Sequence, residues 1–261
     1  MSLLKNIREV FKVFQDKESF FREIDKKRSN QLIYKQIIII CLFGFLYGLV
    51  MGGYHSFPQA ISSGVKVMVL FLSALIICFP SFYIIQLVLG SKMPFRQMVI
   101  IILSGFVLAS TITLSFIPIV IFFLITGDNY HFLQLLHVGI FIFSGVFGLM
   151  LMVDALKYAC EKKSIYPQTG VTVFRVWIVI LAFVGIQLSW NLRPFLGDKN
   201  EGFKLFRKYE GNFYTAVVYS IDQLATRSKG EERTKKASAF QVDTTSYNAA
   251  DTTDLLDINE E

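Results

Sequence analysis

"IIIICLFGFLYGLVMGGY", Ile37 to Tyr54, runs for 18 residues without a charge. A helix rises about 1.5 Å per residue, so this run nearly covers the roughly 30 Å of hydrocarbon in a bilayer. Four more runs of this kind follow, over Val67–Leu89, Gln97–Thr126, Phe132–Val153 and Thr172–Trp190. Arg175 near the start of the last one must snorkel to the interface if that run is to span. The connections "HSFPQAISSG", "GSKMPFR", "TGDNYH" and "LKYACEKKSIYPQTG" are short, which makes successive spans antiparallel neighbours.

Composition agrees. The 261 residues are 53% hydrophobic and only 18% charged, with a mean hydropathy of +0.50. Soluble domains carry about 25% charged residues. The reading is an all-α, polytopic membrane helix bundle with five transmembrane helices, an N-terminal amphipathic helix and a C-terminal interfacial helical segment. Its expected parts are a cytoplasmic amphipathic segment (1–35), a five-span bundle (36–191), an outer-face interfacial motif (192–226) and a disordered acidic tail (227–261).

The first 35 residues hold nine Lys/Arg and five Asp/Glu, with no apolar core of signal-peptide length. The first apolar run is therefore expected to act as a retained signal anchor, without lipidation at either end. Leu3, Leu4, Ile7, Val10, Phe11 and Phe14 recur at helical spacing with Lys5, Arg8 and Lys12 between them. Such a helix either lies on an anionic bilayer surface or packs on the cytoplasmic ends of the spans.

Lys and Arg in short loops set orientation. The N-terminal segment, the second-to-third loop (Lys92, Arg96) and the fourth-to-fifth connection (Lys157, Lys162, Lys163, Arg175) carry 15, against Lys66 alone on the other side. This puts the N-terminus in the cytoplasm and the C-terminus outside. The basic residues after Trp190 break the rule and leave two rivals: a fifth run that fails to span, or a re-entrant "NFYTAVVYSIDQLA". The net charge of +6 follows from these orienting flanks, so nucleic acid is not expected as a partner. From about Arg227 the chain turns polar and then purely acidic, and lacks the apolar residues to fold alone.

Gly44, Gly48 and Gly52 recur every four residues on one face of the first span, where missing side chains let another helix approach. Gly105, Ala109 and Thr113 do the same in the third span, and Ser144 and Gly148 in the fourth. Pro80 and Pro118 bend their spans, with Ser81 and Ser115 placed to re-satisfy the backbone. Ionisable groups inside spans point to function by default, yet His137, Asp154, Gln86 and Gln134 form no chain of relays. His55, Asp128 and His131 lack metal-ligand spacing, and Cys41, Cys78 and Cys160 form no CxxC pair, so neither metal nor cofactor is expected.

The densest stretch is "GIQLSWNLRPFLG" followed by "FKLFRKYEGNFYTAV". Trp190 falls where an aromatic-belt residue sits, Pro194 stops the helix, and Gly197 permits a turn. Arg193, Arg207 and Glu210 are placed to form a charge cluster at the interface, pairing with one another or with lipid phosphate. Phe203, Phe206, Phe213, Tyr214, Val217, Val218 and Ile221 supply an apolar stripe for an interfacial helix.

These residues resemble an uncharacterised group of bacterial multi-span membrane proteins with the pattern G-x-Q-x-x-W-x-L-R-P-F-x-G, F-x-L-F-R, then N-F-Y/F. The matching positions are Gly185, Gln187, Trp190, Leu192, Arg193, Pro194, Phe195 and Gly197, then Phe203, Leu205, Phe206, Arg207, Asn212, Phe213 and Tyr214. "FPSFYIIQLVLG" and "FIPIVIFF" also look like that group's second and third spans. The resemblance implies an inner-membrane location and an interface motif, with Glu210 beside it, and no established activity. Some members carry an actin-binding WH2 label. That module needs a leucine-led basic element, whereas "TKKA" at 234–237 has none, so actin is not an expected partner. The five-span topology is also similar to the Yip1-like architecture, by analogy alone.

The expected function is a non-enzymatic scaffold, assembly or accessory subunit of a membrane complex, in contact with the bilayer and with a membrane-protein partner or a second copy. The alternatives are a small-molecule or ion transporter or channel, and a lipid-processing membrane enzyme using Arg193, Arg207 and Glu210. A cysteine introduced at Gly230 is expected to react with an impermeant maleimide from outside intact cells. Reaction only after permeabilisation would overturn the five-span orientation.

Overall fold

The computed structural model describes residues 29–126, 130–161, 168–196, 205, 214–215, 217–223 and 226. The amphipathic segment before residue 29 and the acidic tail therefore lie outside the described residues. Every regular element among the described residues is helical. In chain order these are α1 (Ser29–Gly52), α2 (Phe57–Val88), α3 (Phe95–Ser115), α4 (Ile117–Thr126), α5 (Tyr130–Glu161) and α6 (Gln168–Leu192). Five candidate spans are long and apolar enough to cross a membrane, with α3 and α4 together forming the third. The chain is a multi-pass, all-α membrane protein.

The helices outrun the hydropathy signal. α1 starts eight residues before Ile37, so the expected boundary at residue 35 falls inside a helix. α2 begins at Phe57, not near Val67, because Ser56 is extended and a proline occupies the first turn, where a missing N–H costs nothing. Most of "HSFPQAISSG" is therefore helix and not loop. α5 continues to Glu161, past the end of its apolar run at Val153, and α6 reaches from Gln168 to Leu192. Apolar length sets where a helix crosses lipid. Backbone hydrogen bonding carries it on into the interface.

The third span is not one helix. It breaks at Phe116, whose N–H bonds back to the Thr113 carbonyl at 3.2 Å, and restarts at Ile117. Pro118 then sits in the first turn of α4, the position where proline is tolerated. Ser115 Oγ donates to the Thr111 carbonyl at 2.9 Å, and Ser81 Oγ donates to the Cys78 carbonyl at 2.8 Å beside Pro80.

α1 packs chiefly against α2 and α3, α3 against α5, and α6 against α2. Two contacts set the spacing. A Cβ on Gly48 would meet the Ser63 carbonyl at 2.5 Å, and one on Gly52 would meet the Gln59 carbonyl at 2.5 Å. Gly44 is looser, 3.3 Å from the Phe71 ring. Gly105 and Gly148 face each other across α3 and α5, each within 2.6 Å of the other's carbonyl once a Cβ is added.

Polar side chains then fix register. Gln36 donates to Ser104 Oγ at 2.7 Å between α1 and α3, and Thr113 donates to Ser144 Oγ at 2.9 Å between α3 and α5. Tyr47 and His137 meet at 2.7 Å between α1 and α5. The larger core cluster, around Ile101, Phe82, Phe174 and Trp177, fills the half of the bundle nearer Ser29. A smaller one, around Tyr47, Val120, Leu133 and Ile140, fills the Gly52 end.

The chain divides into two compact units, Met1–Phe213 and Tyr214–Glu261. In the second unit, the described residues from Tyr214 to Gln223 are helical.

Replacing Gly148 with leucine is expected to lower the stability of the detergent-solubilised protein by at least about 1–3 kcal/mol, since the contact is backbone to backbone and cannot yield. The same change at Gly139, where an added Cβ meets nothing within 4 Å, is expected to be near neutral. Thermal unfolding of both variants distinguishes the two.

Candidate functional site

α6 ends at Leu192 because the next residue precedes Pro194, and a pre-proline residue is pushed out of helical geometry. The chain turns there at the Gly52 end of the bundle, through a cis Arg193–Pro194 peptide. A turn here has carbonyls with no helical partner, and burying them unbonded is costly.

α2 supplies the donors. Gln59, Ser63 and Lys66 lie at i, i+4 and i+7, one face of a helix, and are 1%, 0% and 4% exposed. Gln59 Nε2 donates to the Pro194 carbonyl at 3.0 Å and to the Phe195 carbonyl at 3.2 Å. Ser63 Oγ donates to the Phe195 carbonyl. Lys66 Nζ donates to the Pro194 carbonyl at 3.0 Å and also to the Leu205 carbonyl. A polar latch on the first turns of α2 thus holds the turn after α6 by its backbone.

The side chains of the turn complete the attachment. Leu196 is buried in the smaller core cluster and Phe195 packs against it. Trp190, expected in the aromatic belt, is buried, and the Arg193 guanidinium carbon lies 3.3 Å from the centre of its ring. That distance is within the range of a cation–π contact. Gly48 and Gly52 pack on the same stretch of α2, Gly52 directly against Ser63 Oγ, so the glycine face of α1 and the latch share one piece of helix.

The structure thus brings Trp190, Arg193, Pro194 and Phe195 together with Gly48 and Gly52. Tyr214 is exposed, in the second unit. Gly197, Phe206, Arg207, Glu210 and Asn212 lie outside the described residues, and with them the expected cluster of Arg193 with Arg207 and Glu210. Gln59, Ser63 and Lys66 precede the apolar run of the second span, so hydropathy alone places them in a loop. Their 4-then-3 spacing, following a Ser-Phe-Pro helix start, is the signal that places them on one face.

Two further side chains tie α6 to α2. Trp177 Nε1 donates to the Cys78 carbonyl at 3.1 Å, and Gln86 Nε2 to the Gly170 carbonyl at 3.4 Å. His137, hydrogen-bonded to Tyr47 through Nδ1, has no partner for Nε2 among the described residues. No group of three His, Cys, Asp or Glu residues able to hold a metal occurs among the described residues.

Comparison with known family models, curated proteins and solved structures returns no match.

Replacing Lys66 with methionine keeps the stem and removes the donor for two carbonyls. The loss of stability is expected to be about 1–3 kcal/mol. A cysteine at Phe195 is expected to react faster with maleimide in that background than in the parent chain. Equal rates would show that the turn holds without the latch.

Proposed function

We propose that the chain is a non-enzymatic integral protein of a bacterial inner (cytoplasmic) membrane, a scaffold or accessory subunit of a membrane complex. The observation that supports this reading is how its buried polar groups are used. Gln36 with Ser104, Tyr47 with His137, Thr113 with Ser144 and the latch with its turn each bridge two parts of the bundle. Polar chemistry spent this way gives a rigid body, and a rigid body presents a fixed surface to partners. The turn at 193–196, held by α2, is the part of that surface that the motif resemblance also marks.

A transport reading has one observation in its favour, the Nε2 of His137 deep in the bundle with no hydrogen-bond partner among the described residues. Intramembrane ionisable groups of this kind line transport pathways in other proteins. A flux into reconstituted vesicles that disappears in His137→Phe would favour it.

Crosslinking in native membranes, with identification of what is joined, tests the scaffold reading. The expected result is a small, reproducible set of membrane-protein partners, recovered less well from Lys66→Met. Repeated recovery of this chain alone would count against it.

A further inference from the structure

The second half of the third span, α4, is attached differently from the helices around it. Phe116 joins it to α3: its N–H closes α3 on the Thr113 carbonyl at 3.2 Å, and its carbonyl opens α4 by accepting from the Val120 N–H at 3.0 Å. Pro118 has no N–H to offer the Leu114 carbonyl four residues back. Breaks of this kind are where helices bend.

Helices in lipid are held together by close backbone approach and by polar bonds, because burying apolar surface gains little there. α4 uses neither. It contains no glycine, and its single polar side chain, Thr126, donates to the Phe122 carbonyl of its own helix at 2.7 Å. Among the described residues of α4 only Val120 is buried, while Ile119, Ile121, Phe122 and Ile125 are exposed. Its neighbours are tied more firmly, α1 to α3 through Gln36, α3 to α5 through Thr113 and α1 to α5 through Tyr47. Segments with few buried contacts are the ones that open locally.

What α4 covers is polar. Phe116, Ile117, Phe123 and Leu124 pack with Val120 on the smaller core cluster, which contains Tyr47. Two ring contacts lay this stretch along α5, Phe116 on Phe143 with centroids 5.7 Å apart and Phe123 on Phe132 at 4.9 Å. His137 falls between those two α5 residues. It is buried, with Nδ1 bonded to Tyr47 and no partner for Nε2 among the described residues. An imidazole nitrogen left unbonded in apolar surroundings is costly, and contact with water removes that cost. Among the described residues, α4 can swing aside without breaking a hydrogen bond between helices. It is about 15 Å long, so a turn of roughly 20° at Phe116 displaces its far end by about 5 Å, more than the width of a water molecule.

We propose that α4 is a gate hinged at Phe116, and that its opening admits water to the Tyr47–His137 pair. Hinges of this type are a few element-terminal residues that absorb the change in backbone angles. The gate goes beyond the scaffold reading and is tested apart from it, since recovery of partners and access to His137 are separate measurements.

The test uses the full-length protein in lipid nanodiscs, in a background with Cys41, Cys78 and Cys160 changed to alanine. Phe123→Cys and Phe132→Cys are introduced together, joined by a short bis-methanethiosulfonate and released again by reduction. Modification of each histidine by diethyl pyrocarbonate is followed by mass spectrometry. His137 is expected to react in the unbridged pair, on the order of ten-fold more slowly when bridged, and at its first rate after reduction. His55, away from α4 in sequence, is expected to react equally throughout. Pro118→Leu supplies the missing N–H and is expected to slow His137 several-fold in the unbridged background. Equal His137 rates in the bridged and reduced forms would overturn the gate. So would a folded Pro118→Leu variant that reacts at the unbridged rate, or no reaction of His137 over the time in which His55 reacts fully.

Discussion

Lipid offers no hydrogen bonds, and that deficit governs this protein more than any single contact. In water, the carbonyls of a turn such as Pro194–Phe195 would be solvated at no cost to the fold. Here they are buried against α2 and must be met from within the chain. The first turns of α2 meet them with an amide, a hydroxyl and an ammonium on one face. Lys66 is held in turn, because a buried ammonium needs acceptors as much as the carbonyls need donors.

Spacing and register have separate causes. Apolar burial gives little drive for helices to associate when the surroundings are equally apolar, so close approach has to come from shape. Gly48 and Gly52 against α2, and Gly105 against Gly148, supply it. Contacts of that kind fix how near two helices lie but restrain sliding less. Single polar pairs at Gln36–Ser104 and Thr113–Ser144 remove the freedom that remains.

How much of this was legible in the sequence follows from range. The five spans were readable because hydropathy is a local sum. The glycine faces were readable because helical periodicity is local too, but the sequence did not say which face meets which. The latch is invisible to hydropathy for a specific reason: the apolar residues of the second span begin near Val67, after Gln59, Ser63 and Lys66. Proline chemistry at residues 56–58 held the correct start. The break at Phe116 was hidden similarly, because unbroken apolarity through 126 masks an interruption made by backbone geometry near Pro118. The motif drew attention through its side chains, whereas its described part is gripped mainly through carbonyl oxygens, which every residue carries and no pattern reveals.

The hydrogen bonds described above tie α6 to one neighbour at three points. Gly170 at its start, Trp177 in its middle and the turn at its end are bonded to Gln86, to the Cys78 carbonyl and to the Gln59–Lys66 face, all on α2. Among the described spans α6 is the last to be synthesised. Three bonding points spread along a single earlier helix receive it. The seat of α6 is in this sense written into α2, roughly a hundred residues before the segment that occupies it.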